Sequence, residues 1–152
     1  GIVSERLASK RMIVSDVHYR MVGSSVPICI VASPESVVSY IAPHLKDLVN
    51  EEFWVLCLSS SNRLVGAVCI TTGTLNASLA HPRECFRTAI LLTSASVVFV
   101  HNHPSGNPEP SSEDVALTKQ LVESGKILGI PVHDHIIVAG DHYTSLAERG
   151  LI

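Results

Sequence analysis

The sequence predicts a three-layer α/β/α sandwich with a mixed, curled sheet and with the strand near residues 98–103 at its centre. One basis for this prediction is the continuous apolar run ASVVFV (95–100), which polar residues bound on both sides. Such a β-branched run is typical of a central strand that is covered on both faces. A second basis is a hairpin over residues 53–71. Since further strands alternate with stretches of helical periodicity, helices are expected against the sheet.

The chain is predicted to consist of a lead-in segment and one domain. Residues 1–24 mix charged and polar side chains and form the lead-in, whereas residues 25–152 form the domain. The first part of the domain predicts a strand, a helix that reaches Leu48, and the two strands of the hairpin. Their predicted ranges are 26–33 for the strand, 33–48 for the helix, and 53–59 and 63–72 for the hairpin strands.

The predicted helix starts are marked by capping residues and prolines. Ser33 or Ser36 can cap the first helix, and Pro43 is expected to kink it. Pro82 is expected in the first turn of a second helix, where its missing N–H costs no hydrogen bond.

The last helix is predicted over residues 111–129. Its expected apolar stripe runs through Leu117, Leu121 and Leu128, and Gly129 is expected to end it. Residues 130–140 are then predicted to form the last strand of the domain.

Composition excludes several classes of protein. Hydrophobic residues make up 46% of the chain and charged residues 16%, which indicates a folded domain rather than a disordered one. The net charge of -3 and the lack of a Lys/Arg cluster argue against a dedicated DNA-binding surface. The four cysteines form no CxxC pair, and no apolar run is long enough to span a bilayer. We therefore expect a cytoplasmic protein without a membrane partner.

Two histidines at the end of the central strand predict a metal site. His101 and His103 are two residues apart in an extended run, so their side chains project from the same face. Pro104 then ends the strand, which places both imidazoles at the carboxyl edge where ligands bind in open α/β sheets. Asp114 follows at a helix start behind a loop that three prolines stiffen. Two imidazoles and a carboxylate would leave a tetrahedral zinc ion one open position for water.

The same aspartate also has a purely structural interpretation. Ser111 and Asp114 stand three positions apart at the start of the predicted helix and match a capping box in which Asp replaces the usual Glu. Asp114 could therefore serve only to cap that helix.

The spacing resembles that of a known class of enzymes. His101-x-His103, seven residues, and then Ser111-x-x-Asp114 match the H-x-H-x7-S-x2-D signature of the JAMM (MPN+) metallohydrolases. The stretches GTLNAS, HPRE, HNHPSGNPEPSSED and DHIIV resemble the RadC-type branch, a bacterial family historically labelled as DNA repair proteins. The similarity runs from about Ser33 to the C-terminus and implies a JAMM/MPN sandwich of the cytidine-deaminase-like kind.

The resemblance implies roles for individual residues. His101, His103 and Asp114 match the ligands of one Zn²⁺ per chain, and Ser111 matches the serine that helps to hold the water or the developing oxyanion. The family's Glu-x-Phe-x-Val-Leu spacing selects Glu51, not Glu52, as the general base and then acid. Without that pattern, the first interpretation of Glu51 would be a solvated acid at a helix end.

Four further residues are candidates for the pocket or for contacts to the ligands. Asp134 and His135 match a motif of the family, and one of them is expected to orient a ligand histidine, with a structural polar pair as the alternative. Arg83 could bind an acidic group of the substrate or be a surface charge. Asn76 could point into the site or adopt a left-handed turn.

These observations predict a zinc-dependent hydrolase that acts on an amide or isopeptide-like bond of an unknown protein or peptide. A nucleobase deaminase is set aside because the H-x-E and P-C-x-x-C signature is absent. Two histidines and one carboxylate would also suit non-haem iron. The remaining alternative is a DNA-repair-associated or partner-binding module in which the metal is structural.

Overall fold

The computed structural model describes residue 31 and residues 33–75 and 79–152. The predicted lead-in over 1–24 lies outside the described residues, and so do residues 26–30 and 32 of the predicted first strand. The elements, in chain order, are α1 (Pro34–Leu45), β1 (Glu52–Leu58), β2 (Leu64–Thr72), α2 (Pro82–Leu91), β3 (Ser96–Asn102), α3 (Ser112–Leu128), β4 (Val132–Ala139) and β5 (His142–Ser145).

The strands form one mixed five-stranded sheet in the order β2-β1-β3-β4-β5. β1 pairs antiparallel with both β2 and β3, and β3 and β4 are parallel. All seven residues of β3 are buried. The prediction that the apolar run forms the central strand is therefore confirmed.

Helices cover both faces of this sheet. Alternate residues of β3 point to opposite sides, so that Val98 and Val100 pack in a core with α1 while Val97 and Phe99 pack in a second core with α2 and α3. The two cores lie on either side of one sheet. The predicted α/β/α layering is confirmed, and the layers explain why β3 is apolar on both faces.

The helix starts follow local sequence signals. Ser33 caps α1 in a capping box with Ser36, and Pro43 lies inside that helix. Pro82 opens α2, and the Nδ1 of His81 accepts a hydrogen bond from the backbone N–H of Arg83 (3.0 Å) as its N-cap. Ser111 caps α3.

Two predictions about the helices are wrong. α1 ends at Leu45, before Leu48. Leu128 is 47% exposed, because the buried stripe of α3 continues from Leu121 to Gly125 instead. Gly125 fits there because a Cβ at this position would lie 2.5 Å from the carbonyl oxygen of Ile130.

The sheet also has a strand that the sequence analysis missed. β4 is not the last strand, since β5 pairs antiparallel with it and Ala139 lies opposite His142. Gly140 makes the connecting turn possible with a positive φ of 59°. Among the described helices, none is long and apolar enough to cross a membrane.

Candidate metal centre

The carboxyl end of β3 and the first turn of α3 bring three predicted ligands together. His101 is the next-to-last residue of β3, His103 follows that strand directly, and Asp114 lies in the first turn of α3. One ligand atom from each lies within 4.8 Å of the others. The Nε2 atoms of the two imidazoles are 2.9 Å apart. The carboxylate oxygens of Asp114 lie 3.3 Å from the Nε2 of His101 and 3.2 Å from that of His103.

The loop after β3 fixes the orientation of His103. Its Nδ1 lies 2.8 Å from the backbone carbonyl oxygen of Asn107. Since a carbonyl oxygen only accepts hydrogen bonds, Nδ1 carries the proton, and Nε2 of the neutral ring presents a lone pair. That lone pair is directed toward Asp114 and His101.

Charges around His103 favour its protonated form when no metal competes. The hydrogen bond to Asp114 is the main cause that raises the pKa of His103. Burial opposes this rise, whereas the Asn107 carbonyl and the negative charges of Asp114 and Glu51 add to it. The region between the ligands therefore attracts positive charge.

Asp114 both completes the capping box of α3 and faces the histidines. Its Oδ2 accepts a hydrogen bond from the backbone N–H of Ser111 (2.8 Å), and its own N–H donates to the Ser111 hydroxyl (3.1 Å). Burial works to raise the pKa of Asp114, but in the metal-free site the hydrogen bonds that His101 and His103 donate from Nε2 in their protonated forms outweigh it, so that the pKa falls well below its ordinary value. The carboxylate of Asp114 therefore completes the capping box and also lies beside the Nε2 atoms of both histidines.

His101 is held from behind by a buried histidine. Its Nδ1 lies 2.8 Å from the Nε2 of His135, and both side chains are fully buried. Desolvation is the main cause that lowers the pKa of His135 well below its ordinary value, which favours the neutral ring. On its far side, the Nδ1 of His135 lies 2.5 Å from the hydroxyl of Thr118.

The donor set suits a metal ion such as zinc. Two imidazole nitrogens and one carboxylate are typical zinc ligands, and three protein ligands leave a further position free for water or substrate. The three residues His101, His103 and Asp114 can hold a metal ion.

Comparison with known proteins identifies the family. The family model described as RadC-like JAB domain matches residues 31–151. The chain belongs to this family. Its RadC-like JAB domain is similar to the UPF0758 protein of Desulforamulus reducens, at 48% identity over 81% of this chain and 54% of that protein.

Two further relatives have similar identities. The UPF0758 protein of Methanosarcina barkeri is 44% identical over 80% of the chain and 53% of its own length. That of Symbiobacterium thermophilum is 42% identical over 92% of the chain and 61% of its own length. The chain therefore spans a little more than half the length of these curated relatives.

In this RadC-like JAB domain, the two candidate glutamates lie on different sides of the sheet. The carboxylate of Glu52 accepts a hydrogen bond from Trp54 Nε1 (3.0 Å), and Trp54 packs in the core under α1. Phe53 contacts the rings of His101 and His135 on the opposite face. Glu51, two residues before Phe53, accepts a hydrogen bond from the N–H of Leu75 (2.9 Å) through its Oε2.

A residue that the sequence analysis did not select holds the backbone around Glu51. The Oδ1 of Asn102 accepts from the N–H of Glu52 (2.6 Å), and its Nδ2 donates to the carbonyl oxygen of Asn50 (3.0 Å). Asn102 is buried and points away from the face of His101 and His103. The position of Asn102 between the two histidines in the strand was the signal in the sequence that could have identified it.

The other predicted site residues lie at different places in the domain. Asp134 points to the α1 side of the sheet, where its carboxylate binds Ser145 and the N–H of Ala147. Arg83 is exposed at the start of α2, with its Nε 3.7 Å from Glu84. Ser111 is exposed at the start of α3. Asn76 lies outside the described residues.

Thr118 is the second residue of the site that the sequence analysis missed. It lies one helical turn after Asp114 on the same face of α3. That i, i+4 spacing was a usable signal, but the approach of Thr118 to His135 depends on how α3 packs on the sheet.

Proposed function

We propose that this domain is a zinc-dependent hydrolase of the metallopeptidase or isopeptidase type. The observation that carries the proposal is the convergence of the two Nε2 atoms and the Asp114 carboxylate within 4.8 Å, at an edge of the sheet where Glu51 adds negative charge. When bound, zinc would polarise the carbonyl group of the substrate and lower the pKa of a bound water to about 7.

Glu51 is proposed as the general base and then the general acid. Its charge acts on His103, and its side chain lies on the face opposite to Glu52. The bonds from Asn102 fix the backbone on both sides of it. A carboxylate held in this way takes the proton of an attacking water and returns it to the leaving amine.

Ser111 is proposed to assist at the developing oxyanion. Its hydroxyl oxygen accepts the N–H of Asp114, which leaves the hydroxyl proton free to be donated. Because Ser111 is exposed and lies next to the ligand Asp114, a substrate carbonyl can reach it.

The proposed substrate is an amide or isopeptide bond of a protein or peptide, and the proposed compartment is the cytoplasm. The three described cysteines, Cys57, Cys69 and Cys85, are free thiols, which suits a reducing environment. Asp134 and Arg83 have no part in the proposed chemistry, since Asp134 faces α1 and Arg83 pairs with Glu84.

The test compares Glu51→Gln with Glu52→Gln as a matched pair of neighbouring carboxylates. We expect zinc-loaded wild type to cleave members of a pool of quenched fluorescent peptides and isopeptide-linked conjugates, and a chelator to stop the cleavage. Glu51→Gln should keep its zinc but lose ~10²–10⁴-fold in turnover, the usual range for general acid–base catalysis. Glu52→Gln should stay near wild type.

Two results would contradict the proposal. If Glu52→Gln loses the activity while Glu51→Gln keeps it, the base is assigned to the wrong residue. If zinc-loaded wild type cleaves nothing in the pool but retards DNA in a gel, the partner-binding alternative with a structural metal is favoured instead.

A further inference from the structure

A continuous chain of buried hydrogen bonds links two of the proposed ligands through two residues that are not ligands. The hydroxyl of Thr118 lies 2.7 Å from the backbone carbonyl oxygen of Asp114 and 2.5 Å from the Nδ1 of His135. The Nε2 of His135 lies 2.8 Å from the Nδ1 of His101. The chain therefore begins at the main chain of one ligand residue and ends at the ring of another.

The direction of each hydrogen bond follows from the carbonyl oxygen. Since a carbonyl oxygen only accepts, the single hydroxyl proton of Thr118 points at Asp114. The oxygen of Thr118 must then accept the next hydrogen bond, which means that the Nδ1 of His135 is the donor.

The same reasoning determines the tautomer of His101. His135 is fully buried, and burial disfavours the charged form of an imidazole, so a proton on its Nδ1 leaves its Nε2 as an acceptor. The Nδ1 of His101 must donate to that acceptor. A neutral His101 then carries no proton on Nε2, the atom that lies 3.3 Å from the Asp114 carboxylate.

We propose that Thr118 and His135 are positioning residues that hold His101 in its Nδ1–H tautomer, so that its Nε2 lone pair is available to the metal. The inference rests on the proposed metal site. The hydrogen bonds that leave the ligand shell commonly set the tautomer of a ligating histidine, and their loss typically costs about 10–100-fold in metal affinity.

The two ligand histidines reach the same tautomer by different means. His103 donates from Nδ1 to the carbonyl oxygen of Asn107 in its own loop. His101 has no such neighbour, because it lies within β3 with its backbone paired to β1 and β4. Its acceptor comes instead from the neighbouring strand β4, where the buried His135 is backed by the hydroxyl of Thr118 in α3.

The first test needs no variant. Long-range ¹H–¹⁵N NMR of zinc-free wild type at a pH where the imidazole rings are neutral reports the tautomer of each ring. We expect His101 and His135 both to be protonated at Nδ1. A His135 ring protonated at Nε2 would reverse the chain and overturn the proposal.

The second test compares Thr118→Val, Thr118→Ser and Thr71→Val. Thr118→Val keeps the side-chain shape but removes the hydroxyl, so we expect zinc affinity to fall about 10–100-fold and the NMR signature of the Nδ1–H tautomer to be lost at His135. Thr118→Ser restores the hydroxyl and should return both to near wild type. Thr71 is the matched control, because its buried hydroxyl has no hydrogen-bond partner among the described groups.

Zinc affinity is measured by competition with a chromophoric chelator. An affinity for Thr118→Val within about twofold of the Thr71→Val control would overturn the proposal, as would a Thr118→Ser variant as weak as Thr118→Val. If wild type binds no zinc at all, the proposed function fails. The NMR tautomers of zinc-free wild type then still decide whether the hydrogen-bond chain exists. If His101 and His135 are not protonated at Nδ1, the hydrogen-bond chain is refuted independently of the proposed function.

Discussion

Asp114 and Asp134 are both buried carboxylates, but they have opposite surroundings. Asp134 meets only donors: the N–H of His135 (2.7 Å), the N–H of Ala147 (3.0 Å) and the hydroxyl of Ser145 (2.5 Å). Asp114 shares its carboxylate with the Nε2 atoms of His101 and His103.

The pKa values of the two groups move in opposite directions for this reason. Burial is the main cause that raises the pKa of Asp134, since its neutral donors do not fully offset the loss of water. Burial acts on Asp114 in the same sense, yet the imidazoles outweigh it and lower the pKa. A buried carboxylate therefore does not mark a functional site by itself. A site is indicated where lone pairs of several ligands face one another and require a cation.

The largest expected difference between the two aspartates is in metal content. Asp114→Ala should lose nearly all bound zinc, because it removes one of the three proposed protein ligands. Asp134→Ala should keep wild-type zinc, because its side chain lies on the other face of the sheet. Metal analysis after dialysis against dilute zinc measures both, and His103→Ala serves as the positive control. Equal zinc in Asp114→Ala and wild type would count against the ligand assignment.

For the stability of the zinc-free protein, Asp134→Ala should have a larger effect than Asp114→Ala. Asp134→Ala leaves three donors without their acceptor, and an unsatisfied buried group costs roughly 1–3 kcal/mol, so we expect the free energy of unfolding to fall by about 3 kcal/mol. Asp114→Ala removes the capping-box hydrogen bond to the N–H of Ser111 but leaves the Ser111 cap in place, so we expect a smaller loss of about 1 kcal/mol. Urea unfolding compares them. A larger loss of unfolding free energy for Asp114→Ala than for Asp134→Ala would contradict this comparison of the two environments.

The smallest expected effect is on the pH dependence of stability at Asp134. Its folded pKa is raised, so the native state binds more protons than the unfolded chain between the unfolded and folded pKa values. Stability from this group is fully present below the unfolded pKa and is lost as pH rises through the folded pKa. The difference in unfolding free energy between wild type and Asp134→Asn should therefore shrink as pH rises from about 3.8, the ordinary pKa. A difference that grows with pH would mean that the donors, not burial, dominate.

Much of the fold and the ligand set could be predicted because both depend on local geometry. The i, i+2 spacing of His101 and His103 places both on one side of a strand whatever the rest of the chain does. Ser111 and Asp114 form a capping box within four consecutive residues. The apolar run over 95–100 has to be covered on both faces, which requires a sandwich.

Only the tertiary structure decided the contacts between residues that are distant in the chain. Asn102 reaches the backbone beside Glu51 across 50 residues because β1 and β3 pair with Phe53 opposite His101. His135 meets His101 and Thr118 only through the register of β4 and the packing of α3. Strand register and helix packing are set by the whole core and not by neighbouring residues, so the residue types alone left Asp134 and His135 equivalent. The fold decided which of the two faces α1 and which meets His101.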